Sequence, residues 1–311
     1  MSHGKENPAT VKARNARRNR SKQRSEQGRI YQTNHPDRAA EYRRRYKTKK
    51  GKFAEQLINA RQPLTFTAGD IAFACDFHIP CHDNALIDYM IGVCKDLNIK
   101  KLAIDGDYLD CDNLSIFTST TESNRDTSIT WKAEKDEGRK VMTRLLEWFD
   151  EIYICAGNHE NRIIALTGGK EGFKDIIMAM MPEDNITISE YRKRVHVTID
   201  DFMILHHKYF DEYGEEQTQD WRLCHPKNFS ILPLRVARAL AAKFEMNIHM
   251  AHGHNLLVGR NISGKYICIE GGGLFDREAL EYTCRTTTHP VMRSGFFILK
   301  NGEPIQFDGK S

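Results

Sequence analysis

The stretch EIYICAGNHENR, residues 151 to 162, joins an apolar run to five consecutive polar or ionisable side chains. Its first five residues, 151 to 155, have the length and the aromatic and β-branched content of a buried strand. The amphipathic segment KDEGRKVMTRLLEWFD, residues 135 to 150, leads into it and predicts a helix. Gly157 then allows the backbone a tight turn. Dense hydrogen-bonding chemistry at the mouth of a buried strand indicates a functional site at this edge.

The same alternation of strand and helix extends on both sides of this stretch. Residues 71 to 75 (IAFAC) and 101 to 105 (KLAID) predict strands, and residues 84 to 98 predict a helix between them. Strands separated by helices at this spacing predict a parallel sheet with helices on its faces, whose ligands bind beyond the carboxyl ends of the strands. Further along the chain we expect a helix over 232–244 and strands in 194–207, 247–252, 265–270 and 295–307, the last folded at Asn301-Gly302.

The charge is divided unevenly along the chain. Residues 1 to 60 carry 17 Lys and Arg against 5 Asp and Glu, whereas residues 61 to 311 carry 29 against 37. We therefore divide the chain into a basic N-terminal segment, 1–62, and an α/β domain, 63–311. The basic segment has too few aliphatic residues to bury a core and is expected to be mostly disordered or helical, with helix near residues 39–57. Arg43, Arg44 and Arg45 are interleaved with tyrosines, which predicts nucleic-acid contact, although a solvated tail has the same composition.

The composition also predicts the relation to membranes, the cellular location and the state of the cysteines. No stretch approaches the roughly 18 uncharged apolar residues of a membrane helix, and the N-terminal residues contain no apolar signal region. We expect no membrane association and a cytoplasmic location. The eight cysteines form no CxxC pair, so reduced thiols are expected. The sequence does not indicate an oligomeric state.

Five apolar runs from residue 71 onward end in residues of the types that bind metals. A single His or Asp at such a position is ordinarily a hydrogen-bonded or capping residue. Together, however, they would gather many titratable groups in one cleft, and burying them without a cation would be costly. Mixed carboxylate, imidazole and amide donors suit Mn²⁺, Fe or Zn²⁺ rather than Ca²⁺. These residues are Asp76 and His78, Asp107 and Asp110, Asn158 and His159, His206 and His207, and His252 and His254.

The order of these residues resembles the five motifs of the calcineurin-like metallophosphoesterase superfamily. The motifs are DxH at Asp76, GDxxD at Gly106, GNHE at Gly157, a later strand-terminal His, and HxH at His252. The resemblance covers about Ile71 to Gly272. It implies the metallophosphoesterase-type four-layer α/β sandwich, with two mixed sheets flanked by helices. Ala251 replaces the glycine that usually begins the last motif, and it is small enough to keep the backbone close.

The resemblance also implies two divalent cations, of which Mn is expected first, with Fe or Zn as alternatives. One would be held by Asp76, His78, Asp107 and His254. The other would be held by Asp107, Asn158, His252 and either His206 or His207. We favour His206 because it directly follows the apolar run, and His207 would point to the opposite face of a continuing strand.

Further roles are predicted for residues around the motifs. The resemblance implies that His159 stabilises or protonates the leaving oxygen and that Asp110 orients a ligand histidine. Arg162 is placed where it could hold a phosphate, or it is an exposed helix residue. We expect capping or solvated loop roles for Asp105, Asp112, His82 and Asp83, packing within a strand for His249, and substrate-selecting loops over 117–131 and 208–221.

Taken together, the sequence predicts a hydrolase of phosphate esters that activates water between two divalent cations. The basic segment favours a nucleic-acid phosphodiesterase or nuclease. A phosphomonoesterase acting on a protein or a small molecule is the alternative within this class. A non-enzymatic nucleic-acid-binding protein, in which the α/β domain is a scaffold, is the alternative from another class.

Overall fold

The computed structural model describes residues 63–111, 130–167, 172–182, 186–280 and 292–309. The predicted properties of residues 1–62, including those of Arg43, Arg44 and Arg45, therefore lie outside the described residues, as do Asp112 and most of the predicted loop 117–131. The described helices are α1 Asn84–Asp96, α2 Trp131–Trp148, α3 Glu160–Thr167, α4 Phe173–Ala179, α5 Ile188–Arg194 and α6 Arg235–Phe244.

The described strands form two six-stranded mixed sheets. Their bounds are β1 Leu64–Ala68, β2 Ile71–Ala74, β3 Lys101–Asp105, β4 Glu151–Cys155, β5 Val195–Val197, β6 Phe202–Phe210, β7 Glu216–Cys224, β8 Asn247–Met250, β9 Leu256–Arg260, β10 Ile267–Gly271, β11 Gly295–Lys300 and β12 Glu303–Asp308.

Sheet I has the order β12-β11-β2-β3-β4-β5. Strands β2 to β5 are parallel, and β11 joins β2 in the antiparallel sense. The predicted turn at Asn301-Gly302 connects β11 to β12, and both of its residues have positive φ, 49° and 82°. This conformation belongs to the two-residue hairpin turn that Asn-Gly favours.

Sheet II has the order β1-β6-β7-β8-β10-β9. Here β7, β8 and β10 are parallel to one another, whereas β6 runs antiparallel to β7. Strands β6 and β7 form a long hairpin that includes residues 208–221, which the sequence had predicted as a loop. That prediction was wrong because β7 begins with polar residues, and its buried side chains, Trp221, Leu223 and Cys224, all lie near its end.

The apolar side chains divide into layers. One core lies between the sheets and includes Phe73, Ala103 and Tyr153 of sheet I and Trp221 and Ile269 of sheet II. A second core lies between sheet I and helices α1, α2, α4 and α5. A third lies between sheet II and α6. The resulting order of helices, sheet, sheet and helix confirms the four-layer sandwich, and it corrects the expectation that helices cover both faces of the parallel sheet.

This architecture brings the carboxyl ends of five strands to one edge. Strands β2, β3 and β4 of sheet I end there, as do β7 and β8 of sheet II, and the loops that follow them hydrogen-bond to one another across the two sheets. None of the described helices is long and apolar enough to cross a membrane.

Candidate metal centre

The loops at this edge hold their residues in an uncommon backbone conformation. Five ligand-type residues have positive φ, between 48° and 73°, a region that residues other than glycine seldom adopt. Such strain persists only where surrounding structure enforces it, and it concentrates at functional sites. These residues are Asp76, His78, Asp107, His252 and His254.

The first cluster consists of Asp76, His78 and His254, all buried. The Nε2 atom of His254 lies 3.1 Å from Asp76 Oδ1 and 3.2 Å from His78 Nε2. The His78 Nε2 atom is 3.7 Å from the same carboxylate oxygen. Two imidazole nitrogens and a carboxylate oxygen therefore face a common point, as the ligands of one cation do.

The second cluster consists of Asp107, His225 and His252, and Asn158 adjoins it. The Nε2 atom of His225 lies 2.8 Å from Asn158 Oδ1 and 3.2 Å from Asp107 Oδ2. Its Nδ1–H donates to the main-chain carbonyl of Asp105 at 2.9 Å, which fixes the tautomer and leaves Nε2 facing the cluster.

Asp107 lies between the two clusters. Its Oδ2 atom is buried and accepts no hydrogen bond, although three imidazole Nε2 atoms lie within 4.0 Å of it: His225 at 3.2 Å, His159 at 3.8 Å and His78 at 4.0 Å. A buried carboxylate oxygen without a donor is costly unless a cation compensates it. The donor set and this oxygen both fit divalent cations, with Asp107 positioned to share in both groups.

Two glycines allow the loops to approach this closely. Gly106 has φ 81°, and a Cβ there would meet the Cα of Gly157 at 2.7 Å. A Cβ on Gly157 would meet Asp107 Oδ1 at 2.0 Å. The motifs GDxxD and GNHE thus need their glycines because the two loops pass within contact distance of each other.

The electrostatics of the cluster are those of a site built for positive charge. Burial by itself would raise the pKa of Asp107, but the imidazoles of His159 and His225 hold it well below its usual range. Burial opposes protonation of His225, yet Asp107 raises its pKa to about 9. The pKa of His78 is likewise raised to about 10 against burial, chiefly by Asp110 and Asp76. The carboxylates of the cluster therefore favour positive charge at this position, which a divalent cation would supply.

His159 is held beside the cluster by Asp110 and Arg162. Its Nδ1 atom lies 2.5 Å from the Asp110 carbonyl and 3.1 Å from Asp110 Oδ1. The same carboxylate oxygen is 3.0 Å from His78 Nδ1, so Asp110 orients both rings. Arg162 Nη1 donates to the Asp110 carbonyl at 3.1 Å, and Nη2 lies 3.2 Å from His159 Nε2. The Arg162 side chain is half-buried, and these contacts place it at the edge of the site.

The predicted ligand His206 lies elsewhere, and this prediction requires correction. His206 is on β6, where its Nδ1 pairs with Asp220 Oδ1 at 2.6 Å and its side chain is 41% exposed. Strand β6 runs antiparallel to β7, so its carboxyl end points away from the site edge. His206 lies four residues along β6 from Phe202, about 13 Å at about 3.3 Å per residue, whereas Phe202 pairs with the last residue of β7.

The alternative, His207, is also outside the cluster. It is buried against Gly69 and Gly302, whose main-chain groups pair with its two ring nitrogens. The position expected for this histidine is taken by His225, which directly follows β7 and which the sequence reasoning missed. The signal for it was the short apolar ending of β7 followed by His-Pro, hidden by the polar residues that begin the strand.

The remaining predictions have mixed outcomes. Asp83 caps α1 by accepting from the Leu86 N–H, as predicted. Asp105 is fully buried instead of solvated, and its Oδ2 pairs with His249 Nδ1 at 2.6 Å. His82 is buried as well, with its Nε2 3.2 Å from Asn84 Oδ1. The solvated role expected for Asp105 and His82 is therefore wrong.

The comparisons with known proteins give distant structural likenesses only. No family model matches the chain, and no curated protein matches it. Among solved structures, it is similar to an archaeal phosphodiesterase (12% identity, TM-score 0.40, covering 77% of this chain and 99% of the other). It is also similar to Vps29 from Chaetomium thermophilum (11%, 0.37, 74% and 80%) and to YfcE, a phosphoesterase from E. coli (13%, 0.35, 75% and 88%).

All three TM-scores are below 0.5, so these likenesses are distant. The protein is an α/β sandwich, and side chains that could hold metal ions lie together where strands of its two sheets end.

Proposed function

We propose that this protein is a metal-dependent phosphoesterase. One observation carries the proposal: seven ligand-type side chains from five strand ends converge on one edge, with a buried carboxylate oxygen of Asp107 at their centre that accepts no hydrogen bond. The convergent side chains are Asp76, His78, Asp107, Asn158, His225, His252 and His254.

The donor chemistry supports two divalent cations. Asp76, His78 and His254 would hold one, and Asn158, His225 and His252 the other, with Asp107 shared between them. When bound, such a pair polarises phosphoryl oxygens and lowers the pKa of water. Imidazole together with carboxylate oxygen favours Mn²⁺, Fe or Zn²⁺, and we propose Mn²⁺ first.

His159 is the proposed proton donor to the leaving oxygen. Its Nδ1 is held by Asp110, so the ring presents Nε2 toward the cluster, 3.8 Å from Asp107 Oδ2. In this structure the Arg162 Nη2–H donates to His159 Nε2, so the proposed role requires Arg162 to turn to the phosphate and leave Nε2 to carry the proton that passes to the leaving oxygen as the ester bond breaks. Arg162 is the proposed phosphate contact, since its two terminal nitrogens lie beside His159 and could turn to phosphate oxygens.

Within this class we propose a phosphodiester substrate in a nucleic acid. The support is the basic composition of residues 1–60, which carry 17 Lys and Arg, including Arg43, Arg44 and Arg45. Phosphate neutralisation by such residues gives salt-sensitive binding to DNA or RNA. A phosphomonoesterase is the alternative, and so is a nucleic-acid-binding protein without catalysis.

The test is hydrolysis by the full chain supplied with Mn²⁺, Fe²⁺ or Zn²⁺. Substrates are p-nitrophenyl phosphate, its bis-ester, cyclic nucleotides, and single- and double-stranded oligonucleotides. We expect activity with a metal that Asp107→Ala abolishes, whereas Asp96→Ala, an exposed aspartate of α1, retains it. Turnover of the bis-ester and oligonucleotides over the monoester would support the diester proposal. If wild type and Asp107→Ala were equally inactive with each of the three metals, the proposal that the protein is an enzyme would be wrong.

A further inference from the structure

Glu160 follows the proposed catalytic histidine and has no role in the chemistry described above. It is the first residue of α3 and its side chain is fully buried. The carboxylate accepts three main-chain N–H groups: Oε2 accepts from Gly157 at 2.8 Å and from Asp107 at 3.1 Å, and Oε1 accepts from Leu109 at 2.9 Å. Three donors converging on one buried carboxylate make a tightly defined contact.

These hydrogen bonds connect two loops that are far apart in sequence. Asp107 and Leu109 belong to the loop after β3, more than 50 residues before Glu160, whereas Gly157 belongs to the loop after β4. A return contact completes the connection, since the His159 N–H donates to Asp107 Oδ1 at 2.9 Å. The loop that carries Asp107 is therefore held from two sides by the segment that carries Asn158.

An ordinary helix cap would explain only one of these contacts. Glu190 in α5 provides the comparison, because it also lies in the first turn of its helix and accepts the N–H of the residue three positions earlier, Thr187, at 2.8 Å. Glu160 makes the equivalent bond to Gly157, and its two further bonds cross to the other loop. Capping therefore does not account for the contacts to Asp107 and Leu109.

Asp107 needs this support because its conformation is strained. Its φ is 49°, and its side chain must face His225 on one side and His78 on the other. Two main-chain N–H groups of this loop, at Asp107 and Leu109, would lack these buried acceptors without Glu160. A ligand loop released from such contacts relaxes toward commoner conformations and moves its carboxylate.

We infer that Glu160 is a positioning residue that fixes the Asp107 loop against the Asn158 loop and thereby sets the affinity of the cation site formed by Asp107, Asn158, His225 and His252. This inference rests on the proposed function, in that it assumes a divalent cation there. Glu160 contacts the main chain of the ligand loops, at Asp107 and Gly157, and acts on the cation site through them.

The experiment compares Glu160→Gln with Glu190→Gln in the full chain. Glutamine keeps the shape of the side chain but replaces one acceptor oxygen by an NH₂ group, which then faces main-chain donors. Mn²⁺ binding is measured by calorimetric titration and by metal content after dialysis. We expect wild type and Glu190→Gln to bind two Mn²⁺ ions, and Glu160→Gln to bind one of the two about 10 to 100 times more weakly.

Two further measurements separate positioning from general destabilisation. Thermal unfolding in EDTA shows whether Glu160→Gln is folded without metal. The Mn²⁺ concentration that gives half-maximal activity should rise by about the same factor as the dissociation constant, with kcat recovered at saturating Mn²⁺. A structural role alone would lower the melting temperature in EDTA and leave both Mn²⁺ affinities unchanged.

Equal binding of two Mn²⁺ ions by Glu160→Gln and wild type would overturn the inference, as would equal losses in both Gln variants. If Glu160→Gln does not fold, Glu160→Asp replaces it, since aspartate keeps the charge but is too short to reach all three N–H groups. Failure of that variant to fold as well would assign Glu160 a structural role. Wild type that binds Mn²⁺ without hydrolysing any ester overturns the proposed function alone, and wild type that binds no metal overturns both.

Discussion

Whether a histidine of sheet II reaches the candidate metal centre depends on the strand that carries it. His225 has both ring nitrogens engaged at the site, one on the Asp105 carbonyl and the other facing Asp107 and Asn158. His206, which the motif order favoured, pairs with Asp220 on the exposed side of β6. The two histidines therefore make a matched pair of positions for testing which one binds metal.

At the residue scale we predict opposite outcomes for two alanine substitutions. His225→Ala removes an imidazole donor from the cluster, so Mn²⁺ affinity should fall about 10-fold or more and activity with it. His206→Ala removes an exposed contact with Asp220, which is worth about 1 kcal/mol or less, and should leave metal content and kcat/KM near wild type. Metal titration and steady-state kinetics measure both.

The reverse pattern, in which His206→Ala loses metal and His225→Ala keeps it, would contradict the site described here. Thermal unfolding of both variants in EDTA serves as the control for folding. Because both substitutions remove the same side chain, any difference between them reports on position and not on the chemistry of the change.

At the element scale, the buried side chain of Glu134 in helix α2 hydrogen-bonds to the loop that follows β3. Glu134 is 1% exposed, and its Oε1 accepts the Cys111 N–H at 2.7 Å. Burial raises the pKa of Glu134 to about 8, although the Cys111 N–H lowers it, and Asp110 adds to the increase. The folded protein therefore keeps a proton on Glu134 at pH values where the unfolded chain has lost it.

The predicted consequence is a stability that decreases with pH. Between about pH 5 and 8 the unfolded state binds fewer protons at this position than the folded state, so the free energy of unfolding falls by at most about 1.4 kcal/mol per pH unit. Glu134→Gln is neutral at every pH and keeps an oxygen acceptor for Cys111. Denaturant unfolding of both proteins from pH 5 to 8 should show wild type losing stability relative to the variant. Parallel pH curves would contradict the raised pKa.

At the scale of the whole molecule, a buried polar pair lies between the two sheets, within the contact that their apolar core also forms. Asp105 ends β3 of sheet I and His249 lies in β8 of sheet II, with Oδ2 and Nδ1 2.6 Å apart and both side chains fully buried. The Asp105 carbonyl also accepts from His225. Removing one partner of a buried pair leaves the other without compensation, which is strongly destabilising.

We therefore predict that Asp105→Ala lowers the free energy of unfolding by about 3 to 5 kcal/mol. The matched control is Asp88→Ala on α1, whose carboxylate is 69% exposed and pairs with Arg144, and whose loss should cost about 1 kcal/mol or less. Denaturant unfolding in EDTA, which removes any contribution of bound metal, measures both. Equal and small losses would show that the Asp105 and His249 pair does not stabilise the contact between the sheets.

Much of sheet I and most of the candidate site could be predicted from the sequence. The short apolar runs at 71–75, 101–105 and 151–155 form strands at 71–74, 101–105 and 151–155, and the loops after these strands carry Asp76, Asp107 and Asn158. Parallel strands send their carboxyl ends to one edge, so local pattern alone places those residues together. The roles of Glu160 and Asp105 were not predictable, since Glu160 binds main-chain N–H groups of a loop distant in sequence and Asp105 pairs with the side chain of His249 in the other sheet.

What the sequence by itself determined is the set of chemical groups and the strands that carry them in sheet I. The tertiary structure alone decided which histidine of sheet II completes that set. An apolar run precedes His206, and a shorter one interrupted by Arg222 precedes His225, so the residues themselves favour His206. Strand direction decides between the two histidines, and β6 and β7 run in opposite directions. Direction is fixed by pairing between distant strands and by the packing of the two sheets, neither of which leaves a trace in the residues next to the histidine.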